Sequence, residues 1–303
     1  MSWIILCLIA ASAWSIGAFI DNYIADVIFK NKTPQAMKAL NGPFYLIIAV
    51  AIMFFAGIEQ AEPLQVAMLA LSGVLSSLAS IPYYNALKHE EATGAAIFYQ
   101  FIPLMYLVAD WLLFRENITS QQILGFIIIL AAPAIVIFSR KRPKSRRTEM
   151  AAALLFIAYD LFVVASGLLS THYSDNISFF TMFFWYLIGR GCSDIVLFII
   201  NRPWRERFKY VWRRSRSKFL LSVTINQTLH IIAEFASRTA MIIGVAALAS
   251  ALCNTSELII TFILGIILSI IWPKFGRENI HRHIVIAHLL ATILAVIGII
   301  ILQ

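Results

Sequence analysis

The sequence predicts an all-α membrane protein with about ten transmembrane helices, arranged as two inverted five-helix repeats. The composition, the spacing of the apolar segments and the placement of Lys and Arg lead to this prediction. Of the 303 residues, 60% are hydrophobic and 13% are charged, and the mean hydropathy is +0.82. Soluble domains carry about 25% charged residues, because much of their surface must be polar. A lipid bilayer is therefore the expected environment of this chain.

Ten apolar segments are long enough to cross the hydrocarbon layer of a bilayer, which takes about 20 helical residues. The predicted spans are residues 3–27, 41–58, 64–88, 93–114, 121–138, 150–170, 177–200, 218–243, 246–272 and 284–302. The first segment has neither a basic n-region nor a clear cleavage site, so it is interpreted as a transmembrane helix rather than a signal peptide.

Lys and Arg lie almost entirely on one side of these spans. The loops near residues 30–38, 88, 139–147, 202–218 and 274–282 contain 21 of the 24 basic residues. Basic loops face the cytoplasm, so both termini are predicted outside, and the inner (plasma) membrane of a bacterium is the expected location. The same loops are expected to contact anionic lipid headgroups. Nucleic acid is the weaker explanation for their charge.

An internal repeat is indicated by the tetrapeptide Arg-Glu-Asn-Ile, which begins at Arg115 and again at Arg277. Each copy precedes the fifth span of its half. The predicted organisation is a first repeat over 1–138, a basic cytoplasmic linker over 139–149 and a second repeat over 150–303. Five spans per half give the halves opposite orientations. Inverted halves are common in secondary transporters, which bind substrate where the halves meet.

Residues 82–138 resemble the repeat of the drug/metabolite transporter superfamily, in its EamA-like branch. The shared pattern is Tyr-Tyr-X-Ala-Leu at 83–87, then a small-residue run, followed by Pro103, Glu116 and Gly125. This resemblance implies a ten-helix carrier of small metabolites, amino acids or drugs that works by alternating access. It also implies a central substrate cavity lined by helices from both halves.

Polar residues inside the spans are the candidates for a transport site, because ionisable side chains there usually pair or line a water-filled path. Asn226, His230, Glu234 and Arg238 lie four residues apart and share one face of span eight. This stripe is interpreted as a cavity wall in which Glu234, near His230, exchanges a proton near physiological pH. The alternative is an ion pair between Glu234 and Arg238 that only orders the helix.

Further candidates lie in spans six and nine and in their counterparts in the first half. Asp160 is a lone carboxyl well inside span six, which makes it a candidate for substrate or proton binding. Glu257 replaces the proline of the repeat and lies close to Asn254, at a position that the resemblance makes cavity-lining. The matching candidates in the first half are Tyr84, Asn85 and Gln100.

Two other acidic positions have more than one interpretation. Asp21 lies near the cytoplasmic end of span one, where it serves either the site or a solvated interface. Arg190 and Asp194, four residues apart in span seven, are interpreted as a local ion pair, with a substrate contact as the alternative.

The sequence contains no pattern that favours an enzyme or a cofactor. It lacks Gly-X-Ser-X-Gly, His-Glu-X-X-His and a Gly-rich phosphate loop followed by Lys. The three cysteines are isolated in apolar segments, with no metal or disulfide spacing. With no ATP-binding domain in the sequence, transport would be driven by a gradient or be passive.

The predicted function is a secondary transporter of a small organic metabolite, amino acid or drug-like solute, with proton-coupled efflux as a hypothesis. Its partners would be the solute, protons and the lipid bilayer, and the protein would be a monomer or a homodimer. The alternative is a membrane protein that is not a carrier, such as a lipid scramblase or an assembly factor. In a scramblase, the polar stripe of span eight would face lipid.

Overall fold

The structure of the chain is a computed structural model. It describes residues 2–30, 32–88, 98–114, 146–244, 246–272 and 282–302, together with several positions between 119 and 135. Within these residues the regular elements are helices and no strand occurs. The prediction of an all-α fold is therefore confirmed for the described part of the chain.

Nine α-helices have both of their ends within the described residues. They are α1 Trp3–Tyr23, α2 Lys38–Ala56, α3 Pro63–Ala86, α4 Phe101–Phe114, α5 Arg146–His172, α6 Phe179–Ile200, α7 Arg202–Ile243, α8 Ala246–Ile271 and α9 Arg282–Leu302. A π-helix, Ile24–Ile28, follows α1, and a 3-10 helix, Pro34–Met37, leads into α2.

Seven helical segments in the described residues are long and apolar enough to cross a membrane. They are Trp3–Ile28, Pro34–Ala56, Pro63–Ala86, Met150–His172, Phe179–Ile200, Arg202–Ile243 and Ala246–Ile271. A multi-pass integral membrane protein is therefore confirmed. The total of ten spans stays a prediction, because the predicted spans 93–114, 121–138 and 284–302 include residues outside the described ones.

The basic segment before span eight was predicted as a loop, and this prediction was wrong. Residues from Arg202 onward are helical, and α7 is 42 residues long, with a break at Ser215, where φ is −145° and ψ is 34°. The buried positions in this segment include Trp204 and Val211, whose spacing of seven places them on one helical face. An amphipathic pattern was thus present, although the high charge obscured it.

The chain divides into two compact units. Unit 1 consists of Met1–Phe19, His89–Ile157 and Ile232–Gln303, and unit 2 consists of Ile20–Lys88 and Ala158–Ile231. Both units combine segments from before and after the basic linker. The unit boundaries that fall within described residues lie inside α1, α5 and α7, and after the end of α3.

In unit 2, α6 packs against α2 and α3, and glycines allow the backbones to come close. A Cβ atom on Gly73 would collide with the backbone of Tyr186, and one on Gly189 would collide with the backbone of Ala70. Without a hydrophobic driving force in lipid, helices associate through such close packing of small residues. These contacts hold the helices that carry the polar residues described below.

In unit 1, α8 packs against α4 and α9. Small side chains make up much of the core here, and the thiol of Cys7 in α1 donates a hydrogen bond to the carbonyl of Ala249 in α8, at 3.4 Å. The buried ion pair described below belongs to unit 2.

Candidate functional site

Asp21 lies at the centre of a buried polar cluster in unit 2. It is fully buried, and each carboxylate oxygen has two polar side-chain atoms within hydrogen-bond distance. Oδ1 accepts from the hydroxyl of Tyr84 at 2.6 Å and from Nδ2 of Asn226 at 2.8 Å. Oδ2 accepts from the hydroxyl of Tyr83 at 3.0 Å and lies 3.1 Å from Nε2 of His230. These contacts match the acceptor capacity of an ionised carboxylate.

Three helices place these side chains. Asp21 is in the last turn of α1, and the two tyrosines are near the end of α3. Asn226 and His230 project from α7 one turn apart, which follows from their spacing of four residues. The cluster therefore joins side chains from both predicted repeats within a single compact unit, and we refer to these five residues as the Asp21 cluster.

The members of the Asp21 cluster differ in their access to solvent. The side chain of Asp21 is 1% exposed and that of His230 is 21% exposed. Asn226 is fully buried, and its Oδ1 atom has no hydrogen-bond partner in the described residues. An unpaired buried acceptor costs about 1–3 kcal/mol. The cluster thus combines a partly accessible imidazole with a buried acceptor that can still take a hydrogen bond.

A buried ion pair forms a second polar group in unit 2. Lys38, the first residue of α2, pairs with Asp194 of α6, and both side chains are 3% exposed. The ammonium group of Lys38 also donates to the side chain of Ser77 at 3.0 Å and to its carbonyl at 2.9 Å. Lys38 was expected in a basic loop, and its burial contradicts that expectation.

Arg190 was expected to pair with Asp194, and the structure shows an ion pair between Asp194 and Lys38. A guanidinium nitrogen of Arg190 donates to the hydroxyl of Tyr186 at 2.7 Å, and its central carbon lies 4.5 Å from the ring centre of Tyr45. A cation over an aromatic ring is stabilised by the ring quadrupole. The hydroxyl of Tyr45 in turn donates a hydrogen bond to the side chain of Gln227 in α7, at 2.5 Å. Gln227 directly follows Asn226, a member of the Asp21 cluster, in the sequence.

Asp160 has a different environment, although it also belongs to unit 2. It is fully buried, and neither of its carboxyl oxygens has a hydrogen-bond partner in the described residues. The preceding residue, Tyr159, packs its ring against Tyr83 of the Asp21 cluster, with ring centres 5.3 Å apart. Asp160, a predicted candidate, is therefore buried without a hydrogen-bond partner in the described residues. Its neighbour in sequence, Tyr159, contacts the Asp21 cluster.

Asn85 is half-buried at the end of α3, next to the Asp21 cluster in sequence. Its Oδ1 atom accepts from Gln35 at 3.1 Å and from Lys88 at 2.7 Å. These contacts connect the 3-10 helix that precedes α2 to the end of α3.

The other predicted candidates lie in unit 1. Gln100 donates to the carbonyl of Asn254 at 2.9 Å and accepts from the hydroxyl of Thr255 at 3.3 Å. The buried Glu257 accepts from the hydroxyl of Ser15 at its backbone carbonyl, at 3.1 Å. This group of contacts joins α1 and α8 and connects Gln100 to α8.

Glu234 and Arg238 are half-buried in the section of α7 that belongs to unit 1. The predicted stripe of four residues is thus divided, since Asn226 and His230 belong to unit 2. Among the described residues, no group of three or more His, Cys, Asp and Glu side chains is arranged to hold a metal ion.

Sequence reasoning did not select Asp21, Tyr83 or Lys38 as site residues. Asp21 was left between two interpretations because it was placed near the end of its span. The span ends at Ile28, one residue beyond the predicted end, so Asp21 lies nearly two turns inside the span in the prediction as well. The rule that an acid inside a span is a functional candidate therefore applied to Asp21 as well as to Asp160.

Comparisons with known proteins bear on the fold and the family. A solved structure described as "Crystal structure of protein" has a TM-score of 0.67 with this chain, over 99% of this chain and 95% of that one, at 16% identity. At this identity the likeness shows the fold alone. A sequence search of curated proteins gives no match. Residues 1–138 match the model of the EamA-like transporter family. Over this stretch, which is less than half of the chain, the match confirms the resemblance seen in the sequence, and the matched family consists of membrane transporters of the drug/metabolite transporter superfamily.

Proposed function

We propose that the chain is a secondary transporter that moves a small organic solute by alternating access, with the Asp21 cluster as its solute or proton site. The observation that carries this proposal is a fully buried carboxylate on which α1, α3 and α7 converge. A charged group inside a membrane span is costly, and it usually marks a substrate or proton path. The family match over residues 1–138 supports the transporter class.

Protonation of Asp21 offers a way to couple a proton to a change of conformation. Protonation gives the carboxyl group one O–H donor and reduces its capacity to accept hydrogen bonds. The tyrosines of α3 and the amide and imidazole of α7 would then lose part of the interaction that holds these helices together. His230 is half-buried beside Asp21, so the two residues form a pair of side chains that can each bind a proton. Proton uptake by Asp21 would weaken the contacts through which it joins α3 and α7, and proton loss would restore them.

The solute would bind next to this pair. The Oδ1 atom of Asn226 is buried without a partner in the described residues, so it can accept a hydrogen bond from a solute donor. The solute class is left open by this contact, because amino acids, amines and nucleosides all carry such donors.

Asp160 and Glu234 remain the further candidates for proton binding. An ionised carboxylate without hydrogen bonds is strongly disfavoured in an apolar environment, so we infer that Asp160 carries a proton in this conformation. Glu234 belongs to the other unit, and its coupling role stays a hypothesis. Glu257, Arg238, Asn254 and Gln100 are proposed as further contacts of the solute during the transport cycle.

The proposal includes ten spans in two inverted five-helix repeats. The order in which the compact units divide the chain supports it. The segments 1–19, 20–88 and 89–138 alternate between unit 1 and unit 2 in the same order as the segments 139–157, 158–231 and 232–303. We further propose a bacterial plasma membrane location, both termini outside and transport directed out of the cell.

Solute flux in proteoliposomes tests the proposal. Labelled amino acids, nucleosides and amines are offered with and without a pH gradient, to the wild type and to Asp21→Asn. One solute class should show gradient-driven flux in the wild type and a loss of about tenfold or more in Asp21→Asn, as expected for an acid that binds the proton. Asp26→Asn, the same change in the following π-helix, is the matched control and should keep its flux.

Two outcomes would contradict the proposal. Unchanged gradient-driven flux in Asp21→Asn would remove Asp21 from the site. An absence of flux for every solute, together with passage of labelled phospholipid across the bilayer, would favour the scramblase alternative.

A further inference from the structure

We propose that residues 202–214 form an interfacial helix that binds anionic phospholipid headgroups through an exposed basic face. This basic segment is the first section of α7, before the break at Ser215. It contains six of the 24 Lys and Arg residues of the chain and a single acidic residue. The inference concerns a lipid partner and does not depend on the transported solute.

The basic segment does not continue into the membrane span. The rings of Phe208 and Phe219 are 5.9 Å apart, although 11 residues of straight α-helix would separate them by about 16 Å along the axis. The chain therefore turns back at Ser215, where the backbone leaves the helical conformation. The segment is also too short to cross a bilayer, since 13 residues extend only about 20 Å.

One face of the basic segment is anchored to unit 2. Trp204 and Val211 are buried, and the ring of Phe208 contacts Phe198 of α6 at 5.6 Å. A guanidinium nitrogen of Arg207 donates to the carbonyl of Phe29, which follows the π-helix. This face has protein partners, so the segment holds a fixed orientation against its own unit.

The opposite face is exposed and basic. Lys209, Arg213 and Arg214 are exposed, and Arg214 donates to the hydroxyl of Tyr210 at 2.8 Å. Glu206, the acid of this segment, pairs with Arg202 at 2.7 Å, so it does not neutralise these three cations. A helix with a basic face that lies beside membrane spans is attracted to anionic headgroups, with about 1 kcal/mol for each Lys or Arg near the surface.

The retention of phospholipid by the purified full-length protein tests this inference. Phosphatidylglycerol and phosphatidylcholine are titrated in detergent, and bound lipid is counted by mass spectrometry of the intact complex. The wild type should prefer phosphatidylglycerol in about 0.1 M salt and lose this preference in about 1 M salt, because the Debye length falls from about 10 Å to about 3 Å. The triple variant K209Q/R213Q/R214Q should bind phosphatidylglycerol about fivefold more weakly for each charge removed.

The charge-conserving variant K209R/R213K/R214K is the matched control, and it should keep the preference of the wild type. Equal retention of phosphatidylglycerol by the Gln variant and the wild type would overturn the inference. If the Gln variant does not fold, a preference of the wild type that is insensitive to salt would overturn it equally. A single-stranded oligonucleotide that displaces the lipid at lower concentration would assign the face to nucleic acid instead.

Discussion

Asp21 and Asp160 are both fully buried carboxyl groups of unit 2, but their surroundings differ. Asp21 has four polar side chains within hydrogen-bond distance, whereas the oxygens of Asp160 have no partner in the described residues. Burial of a polar group is costly only when its hydrogen bonds are not replaced. The comparison teaches that burial alone does not assign a role to an intramembrane acid, because the donors around it decide whether it holds helices together.

The largest expected effect is the loss of the acceptor at Asp21. In Asp21→Leu, the hydroxyls of Tyr83 and Tyr84 and the side-chain nitrogens of Asn226 and His230 lose their common partner. Each unsatisfied buried group costs about 1–3 kcal/mol, so the free energy of unfolding should fall by about 4 kcal/mol or more. Thermal unfolding of the purified protein in detergent measures this loss.

Asp21→Asn separates hydrogen bonding from charge in the same experiment. The amide keeps one acceptor oxygen and introduces two donors, so its loss of stability should lie between those of the wild type and Asp21→Leu. If Asp21→Leu unfolds at the wild-type temperature, the four contacts do not stabilise the fold, and the contrast with Asp160 fails.

Sequence reasoning predicted the helix bounds and shared helix faces that follow from a local pattern of residues. Spans such as 177–200 and 246–272 agree with α6 and α8 within two residues at either end, because a long apolar run is itself the signal of a membrane helix. Helical spacing likewise indicated that Asn226 and His230 share a face, and both contact Asp21.

Contacts between distant residues were beyond the reach of that reasoning. The partners of Asp21 are 62 to 209 residues away in the chain, and no spacing rule connects them. Lys38 was counted with the basic loops, although its partner Asp194, 156 residues away, holds it in the protein interior. The basic segment was missed for another reason, since its charge suggested a loop while its buried positions follow helical spacing.

An intermediate effect is expected when one donor of the Asp21 cluster is removed. Tyr84→Phe deletes the 2.6 Å hydrogen bond and Tyr83→Phe the 3.0 Å one, with little change in shape. A hydrogen bond to a charged group contributes about 1.5–3 kcal/mol, and short charge-assisted bonds are the stronger ones. Tyr84→Phe should therefore lower the free energy of unfolding by about 2 kcal/mol, and Tyr83→Phe by less.

Thermal unfolding of both variants, measured beside Asp21→Asn, gives the order. A larger loss for Tyr83→Phe would contradict the ranking by distance. A double variant, Asp21→Asn with Tyr84→Phe, should lose less than the sum of the single changes, because both remove the same hydrogen bond.

The smallest effect on stability is expected at Asp160. In Asp160→Leu, an apolar side chain of similar size replaces a carboxyl that has no hydrogen bond in the described residues, so no donor loses its partner. Such replacements of buried polar groups are often neutral or stabilising. The free energy of unfolding, measured by thermal unfolding, should therefore match that of the wild type within about 1 kcal/mol or exceed it.

If Asp160 takes part in proton coupling, the same variant should lose gradient-driven flux while it keeps its stability. A destabilisation as large as that of Asp21→Leu would show that Asp160 is bonded in solution. The two acids would then belong to one class, and the number of donors in this structure would no longer separate them.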